Sequence, residues 1–195
     1  MISLVHELSH DLPTLILDQL LAELSIRIGT ELQLVIDDKY TDAYFDWFKE
    51  IENHAFREEL RYTREEFQER FHDQQGFLLF VMDGMRPLAM VMGFERVEND
   101  LSYFYVDTFA VTVEKNGIGT LMAHYLIQYA AEVGHTHIRL DTEEMNERGV
   151  PLVRFYEKLG FRRVSVDEQG DWTLEMNLQE VPKIVKEHTN LQVVL

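Results

Sequence analysis

The stretch VEKNGIGTLMAHYLIQYAAEVG, residues 113–134, decides how the chain is to be read. Ile118, Leu121, Met122, Tyr125, Leu126, Tyr129 and Val133 recur at helical spacing, and Gly134 supplies a stop. Gly117 and Gly119 stand at the start of that helix, directly after the strand-like run LSYFYVDTFAVTV, residues 101–113. A helix start carries unpaired backbone N–H groups at the positive end of its dipole, and glycine lets an anion such as a pyrophosphate approach them closely. A tight strand-to-helix turn also needs glycines, so by itself the pattern leaves both readings open.

The neighbouring segments narrow the choice. GFLLFVMD, PLAMVMGFERV and LSYFYVDTFAVTV are three β-rich runs separated by Asp83-Gly84 and by Glu98-Asn99-Asp100, which predicts an antiparallel meander. ELQLVI, residues 31–36, reads as a further strand. Residues 42–56 and 63–71 read as two short helices, with Thr63 and Glu66 spaced as a capping box. Downstream, HTHIRLDT is strand-like, and VPLVRFYEKLGF is a short helix opened by Pro151 and closed by Gly160 and Phe161. RRVSVDE and WTLEMNL form a hairpin around Gln169-Gly170-Asp171. Near the N-terminus, apolar residues at 12, 16, 20, 24 and 28 predict an amphipathic helix ended by Gly29.

With 195 residues and 46% hydrophobic content, the chain can bury a full core. It has no repeat, low-complexity tract or Gly/Ser linker, so one domain is expected: a helical extension over 1–30, a core over 31–178 and a tail over 179–195. The absence of cysteine removes disulfides, thiolate nucleophiles and Cys-zinc sites. A formal charge of -17 without a basic patch repels phosphate backbones and anionic lipid, which argues against nucleic acid and membrane partners. The leucine-rich 12–28 segment carries Asp18, Glu23 and Arg27 and cannot span a bilayer, and no signal-peptide pattern precedes it. A soluble, cytoplasmic protein is expected. The acidity serves solubility, or the attraction of cationic substrates.

One motif points elsewhere. VHELSH, residues 5–10, places His6, Glu7 and His10 in the H-E-x-x-H order of zinc peptidases. At this i, i+4 spacing a helix would put both histidines on one face to share a zinc ion, but Pro13 would break a helix running through them, with Asp11 as the better cap. No metal is expected there. His135 and His137 read as ordinary strand residues rather than ligands.

The order of elements, the Gly117-Ile118-Gly119 turn and FYEKLGF, residues 155–161, together resemble the GNAT family of acyl-CoA-dependent N-acetyltransferases, from about Glu31 to Leu178. The resemblance implies an α/β fold of the α+β kind, with a mixed, mostly antiparallel sheet of about seven strands flanked by helices and splayed between the fourth and fifth strands. By the same resemblance acetyl-CoA enters that gap as co-substrate. Its pyrophosphate would lie on Lys115, Asn116, Gly117, Ile118, Gly119 and Thr120, and its pantetheine on the backbone of Phe109, Ala110 and Val111. Tyr156 would sit near the coenzyme sulfur as the acid, and Asn146 resembles the family's usual asparagine at a wider spacing. Glu114 departs from the pattern, because the family has Arg or Gln there, and the turn is shorter after Val111. Lys115 would then supply the positive charge.

Acetyl transfer asks for a group that holds or deprotonates the amine, donors for the developing oxyanion and an acid for the departing thiolate. Asp107 and Glu95, on adjacent predicted strands near the expected cleft, are the candidates for the first task. The expected reaction is direct attack on the thioester by a primary amine of a small molecule or peptide. The altered turn keeps a second reading open, a non-catalytic GNAT-like acyl-CoA-binding sensor or interaction domain. The acceptor is expected to be cationic, because the two helices and the link between them carry Asp42, Asp46, Glu50, Glu52, Glu58, Glu59, Glu65, Glu66 and Glu69, offset in part by Lys49, Arg57, Arg61, Arg64 and Arg70. The N-terminal helix and the tail lie outside the resemblance and can pack on their own core or on a second subunit, so a homodimer stays open.

Overall fold

The computed structural model describes residues 12–73, 76–98, 101–113, 117–146 and 148–180. His6, Glu7, His10, the proposed cap Asp11, the turn residues Glu114, Lys115 and Asn116, and the tail beyond 180 lie outside them.

Helix α1 (Leu12–Ile28) buries Ile16, Leu20 and Leu24, the stripe its spacing predicts, and Gly29 closes it. Strand β1 (Gln33–Asp37) starts two positions later than its expected start at Glu31, since the buried Leu32 donates its N–H to Ser25 Oγ instead of to a strand. Thr41 caps α2 (Asp42–Ala55) by accepting the Tyr44 N–H at 3.2 Å. A short 3-10 turn (Glu58–Leu60) leads to α3 (Arg64–Asp73), where Thr63 and Glu66 exchange backbone and side-chain hydrogen bonds as the capping box predicts. Then come β2 (Gly76–Asp83), β3 (Arg86–Glu98) and β4 (Leu101–Val111) as an antiparallel meander. Helix α4 (Ile118–Val133), β5 (His137–Thr142), α5 (Leu152–Leu159), β6 (Arg162–Val166) and β7 (Trp172–Asn177) complete the chain.

The seven strands form one sheet in the order β1-β2-β3-β4-β5-β7-β6, and every pair is antiparallel except β4 with β5. That parallel pairing stops at Val106 and Leu140, while β4 runs on to Val111 and β5 to Thr142. The strands therefore part at their C-terminal ends, as expected for the fourth and fifth strands.

A bulge marks where β4 begins to part from β5. Met92 pairs with Thr108 and Gly93 with Val106, so Asp107 is an extra residue in β4. Gly93 opposite it is required by space, because a Cβ there would lie 2.4 Å from Phe104 Cζ and 2.8 Å from the Tyr105 carbonyl oxygen.

Two cores line the sheet. Helices α1 and α4 cover one face with an aliphatic cluster that includes Leu20, Leu24, Val91, Met122, Leu126 and Ile138. On the other face α2 and α3 bring aromatic rings and methionines together, with Phe48, Phe67, Phe80, Met90, Met92 and Phe94 buried.

Candidate active site

The opening between β4 and β5 has different chemistry on its two sides. On the α4 side, Tyr156 of α5 packs edge-on between Phe155 and Phe161 and lines a hollow with Val106, Phe109, Ile138 and Leu140. Its hydroxyl makes no hydrogen bond among the described residues, and burial pushes its phenol well above the usual tyrosine value. The group is therefore a proton donor at neutral pH, and no protein acceptor occupies it.

The end of β4 offers backbone groups. Thr112 donates its N–H to Leu88 at 2.8 Å, so by the two-residue alternation of an antiparallel ladder Ala110 also faces β3, whereas Phe109 and Val111 turn toward the gap. Of the three expected backbone contributors, Ala110 is thus committed to the sheet. Helix α4 begins at Gly117, whose φ of 67° is a left-handed conformation that suits glycine. Leu121 N–H closes the first turn on the Gly117 carbonyl, which leaves the amides of Ile118, Gly119 and Thr120 without intrahelical partners.

Arg27, at the end of α1, was not foreseen as a site residue. Its guanidinium donates to the Gly117 carbonyl at 3.3 Å, and a Cβ on Gly117 would lie 2.8 Å from it. The residues are 90 apart in sequence, and no local pattern reports such a contact. Among the described residues those three amides have no partner, and with this guanidinium beside them the start of α4 suits an anion such as a phosphate group.

Asn146 has a different job from the expected one. Its side-chain oxygen accepts the N–H groups of Arg148 and Val150, so it braces the loop into α5 instead of facing the gap.

On the α2–α3 side, Asp107 is almost wholly buried, with its side chain 4% exposed. Its Oδ2 accepts from the Tyr62 hydroxyl at 2.8 Å and from Thr108 Oγ1 at 3.2 Å, while Arg70 stands 3.9 Å from Oδ1. Burial, and then the Asp107 carboxylate, hold the Tyr62 phenol above its usual value. Beside them Tyr105 donates to Asp141 at 2.8 Å.

Glu95 is not brought to this place. It pairs with Phe104, three residues before Asp107 along β4, on the face that carries α4, and its carboxylate accepts from Ser102 near His135. The expectation that it shares the cleft with Asp107 is corrected by that register and that face. His135 is buried next to Ser102, and burial lowers its pKa against the opposing pull of Glu95.

The helix carboxylates are also less free than their number suggests. Asp42 and Asp46 pair with Arg64, Glu52 with Lys49, and Glu66 with its own cap. A second acidic group gathers at the end of β5: Asp141, Glu143 and Asp171 are neighbours, with Arg57 bonded to Glu143. Burial first, then Asp167 and Glu143, raise the Asp171 pKa. Among the described residues no cluster of His, Asp and Glu suits a metal ion, and no helix is long and apolar enough to cross a membrane.

The sequence model of the Acetyltransferase (GNAT) family matches residues 41–161. The chain belongs to the GNAT family. Solved acetyltransferases share the fold of this GNAT chain. An aminoglycoside 6'-N-acetyltransferase complexed with coenzyme A superposes with a TM-score of 0.59 at 17% identity, covering 75% of this chain and 97% of its own. The aminoglycoside 6'-N-acetyltransferase from Enterococcus faecium gives 0.57 at 17% identity over 75% and 97%. The ribosomal-protein-S18-alanine N-acetyltransferase from Escherichia coli gives 0.54 at 16% identity over 75% and 94%. None of the curated proteins matches this sequence. The GNAT enzyme is an N-acetyltransferase with acetyl-CoA as co-substrate.

Proposed function

We propose that this GNAT enzyme acetylates a primary amine that carries positive charge, by direct attack of the amine on the acetyl thioester. The observation that carries the reading is the arrangement around the β4–β5 opening, with an unbonded phenol on one side and a buried, oriented carboxylate on the other.

Each residue has a task. Asp107 holds the incoming ammonium and receives its proton directly or through water. The N–H groups of Phe109 and Val111 face the place where carbonyl charge develops, and stabilise it in a water-poor setting. Tyr156 gives its proton to the departing thiolate, from a hydroxyl that no described residue engages. The amides at the start of α4, with Arg27, receive the coenzyme's phosphates. Lys115 and Asn116, expected to join them, lie outside the described residues. Glu95 and Asn146 have no part in the reading. Positive charge on the acceptor follows from the carboxylates Asp107, Asp141, Glu143 and Asp171 at the acceptor side, which raise the local concentration of cations.

The test is Tyr156→Phe, which keeps the ring and removes only the proton. We expect kcat to fall by roughly tenfold to a thousandfold while the Kd for acetyl-CoA changes little, because the acid acts on charge present only in the transition state. Unchanged kcat would reduce Tyr156 to a packing residue.

A further inference from the structure

Tyr62 lies in the extended link between the 3-10 turn and α3, with no neighbouring strand to hold it. Two side chains of α2 do the work of a strand. Glu52 Oε1 accepts the Tyr62 N–H at 3.0 Å, Lys49 Nζ donates to the Tyr62 carbonyl at 2.8 Å, and the two charged groups meet each other at 2.8 Å. Both polar groups of one peptide segment are thereby gripped by a single ion pair. The grip lies at the base of a ring that packs on Phe48 and carries its hydroxyl to Asp107 Oδ2.

Glu52 is 1% exposed, and burial raises its pKa against the opposing effects of Lys49, the Tyr62 N–H and Arg61. Stability alone does not account for placing this pair there, since apolar residues of similar volume commonly serve a core as well or better. What the pair adds is position. Asp107 sits in a bulge, and the terminal torsion of an aspartate is broad, so its two oxygens are told apart only by what binds them. Tyr62 and Thr108 both bond to Oδ2. Among the described residues Oδ1 accepts no hydrogen bond, and Arg70 stands 3.9 Å from it, beyond hydrogen-bond range.

We propose that Lys49 and Glu52 are positioning residues of the acceptor site, acting through Tyr62 to fix which oxygen of Asp107 meets the amine. This rests on the reading of Asp107 as the group that holds the amine. It places the control of acceptor binding in α2, two contacts away from the reacting atoms.

The experiment measures kcat/KM for the best acceptor among spermidine, kanamycin and a lysine-containing peptide, with acetyl-CoA saturating. The variants are Lys49→Met, Tyr62→Phe, the double variant and Asp107→Asn, with the acetyl-CoA Kd measured for each. Tyr62→Phe is expected to lower kcat/KM for the amine by about tenfold and Lys49→Met by about threefold to tenfold, with the coenzyme Kd unchanged within about twofold. In the Tyr62→Phe background, Lys49→Met should cost less than about twofold more, because the hydroxyl through which it acts is already gone. Glu52→Gln gives a second reading of the same coupling, and Lys49→Met remains available if that buried change prevents folding. Multiplicative losses in the double variant, or equal losses in coenzyme affinity, overturn the inference. So does a clear loss in Asp107→Asn with Lys49→Met at the wild-type rate. Wild-type kinetics in Asp107→Asn, or acetylation of none of the three amines, overturns the amine reading and the inference with it.

Discussion

The two faces of the sheet are built from different materials. The α1–α4 face is an aliphatic seam of periodic helices, and its chemistry is mostly backbone: the amides at the start of α4 and those of Phe109 and Val111. The α2–α3 face is a cluster of rings and methionines, and its chemistry is side chain upon side chain, from Lys49 and Glu52 through Tyr62 to Asp107. Backbone groups are indifferent to residue identity and suit a co-substrate that does not vary. Side-chain relays depend on every member and suit a partner that must be selected.

The largest effect is expected in the aromatic cluster. Phe67 is fully buried and meets Tyr40, Phe45, Phe48 and Phe71 ring to ring, so Phe67→Ala should cost about 3–5 kcal/mol. Chemical denaturation would measure it. A loss below about 1 kcal/mol would show that the rings there pack loosely and that the contrast between the faces is overdrawn.

A smaller effect separates the faces by substrate. Arg27→Gln removes charge beside the α4 turn and should raise the acetyl-CoA Kd by about threefold to tenfold, an effect that shrinks at high salt, with the amine KM unmoved. Calorimetric titration with the coenzyme, without an acceptor, reads this directly. A shift in amine KM instead would put Arg27 on the wrong side of the comparison.

The smallest is electrostatic. If the carboxylates near the gap draw in a cationic amine, kcat/KM for that amine should fall by about twofold to fivefold between low and high salt, with acetyl-CoA saturating. A flat profile would leave selection to the short-range relay alone.

Legibility in the sequence divided between local and long-range signals. The stripe at 16, 20 and 24, the Thr63–Glu66 cap, the turn at Asp83-Gly84 and the stop at Gly160 are local signals, and each held. Tyr156 could be singled out because the residues around it form a motif. Tyr62, Lys49, Glu52 and Arg27 were not, since what defines them is a partner on another element, 45 residues away for Tyr62 and 90 for Arg27. Glu95 was assigned to the right strand and the wrong face. Strand membership is written locally, but register and a bulge are settled between strands. Asn146 was named by resemblance alone, and no local sign in the sequence shows that its side-chain oxygen would accept the N–H groups of Arg148 and Val150.

The extra residue at Asp107 also changes the parity of β4. Up to Val106 the even-numbered side chains, Phe104 and Val106, point to the α4 face; beyond the bulge the odd-numbered ones, Phe109 and Val111, do so. The strand thus counts differently before and after one position. Paired without that bulge, the strand would turn Ala110 to the α4 face and Phe109 and Val111 to the α2–α3 face, reversing both sides of the sheet by a shift of one.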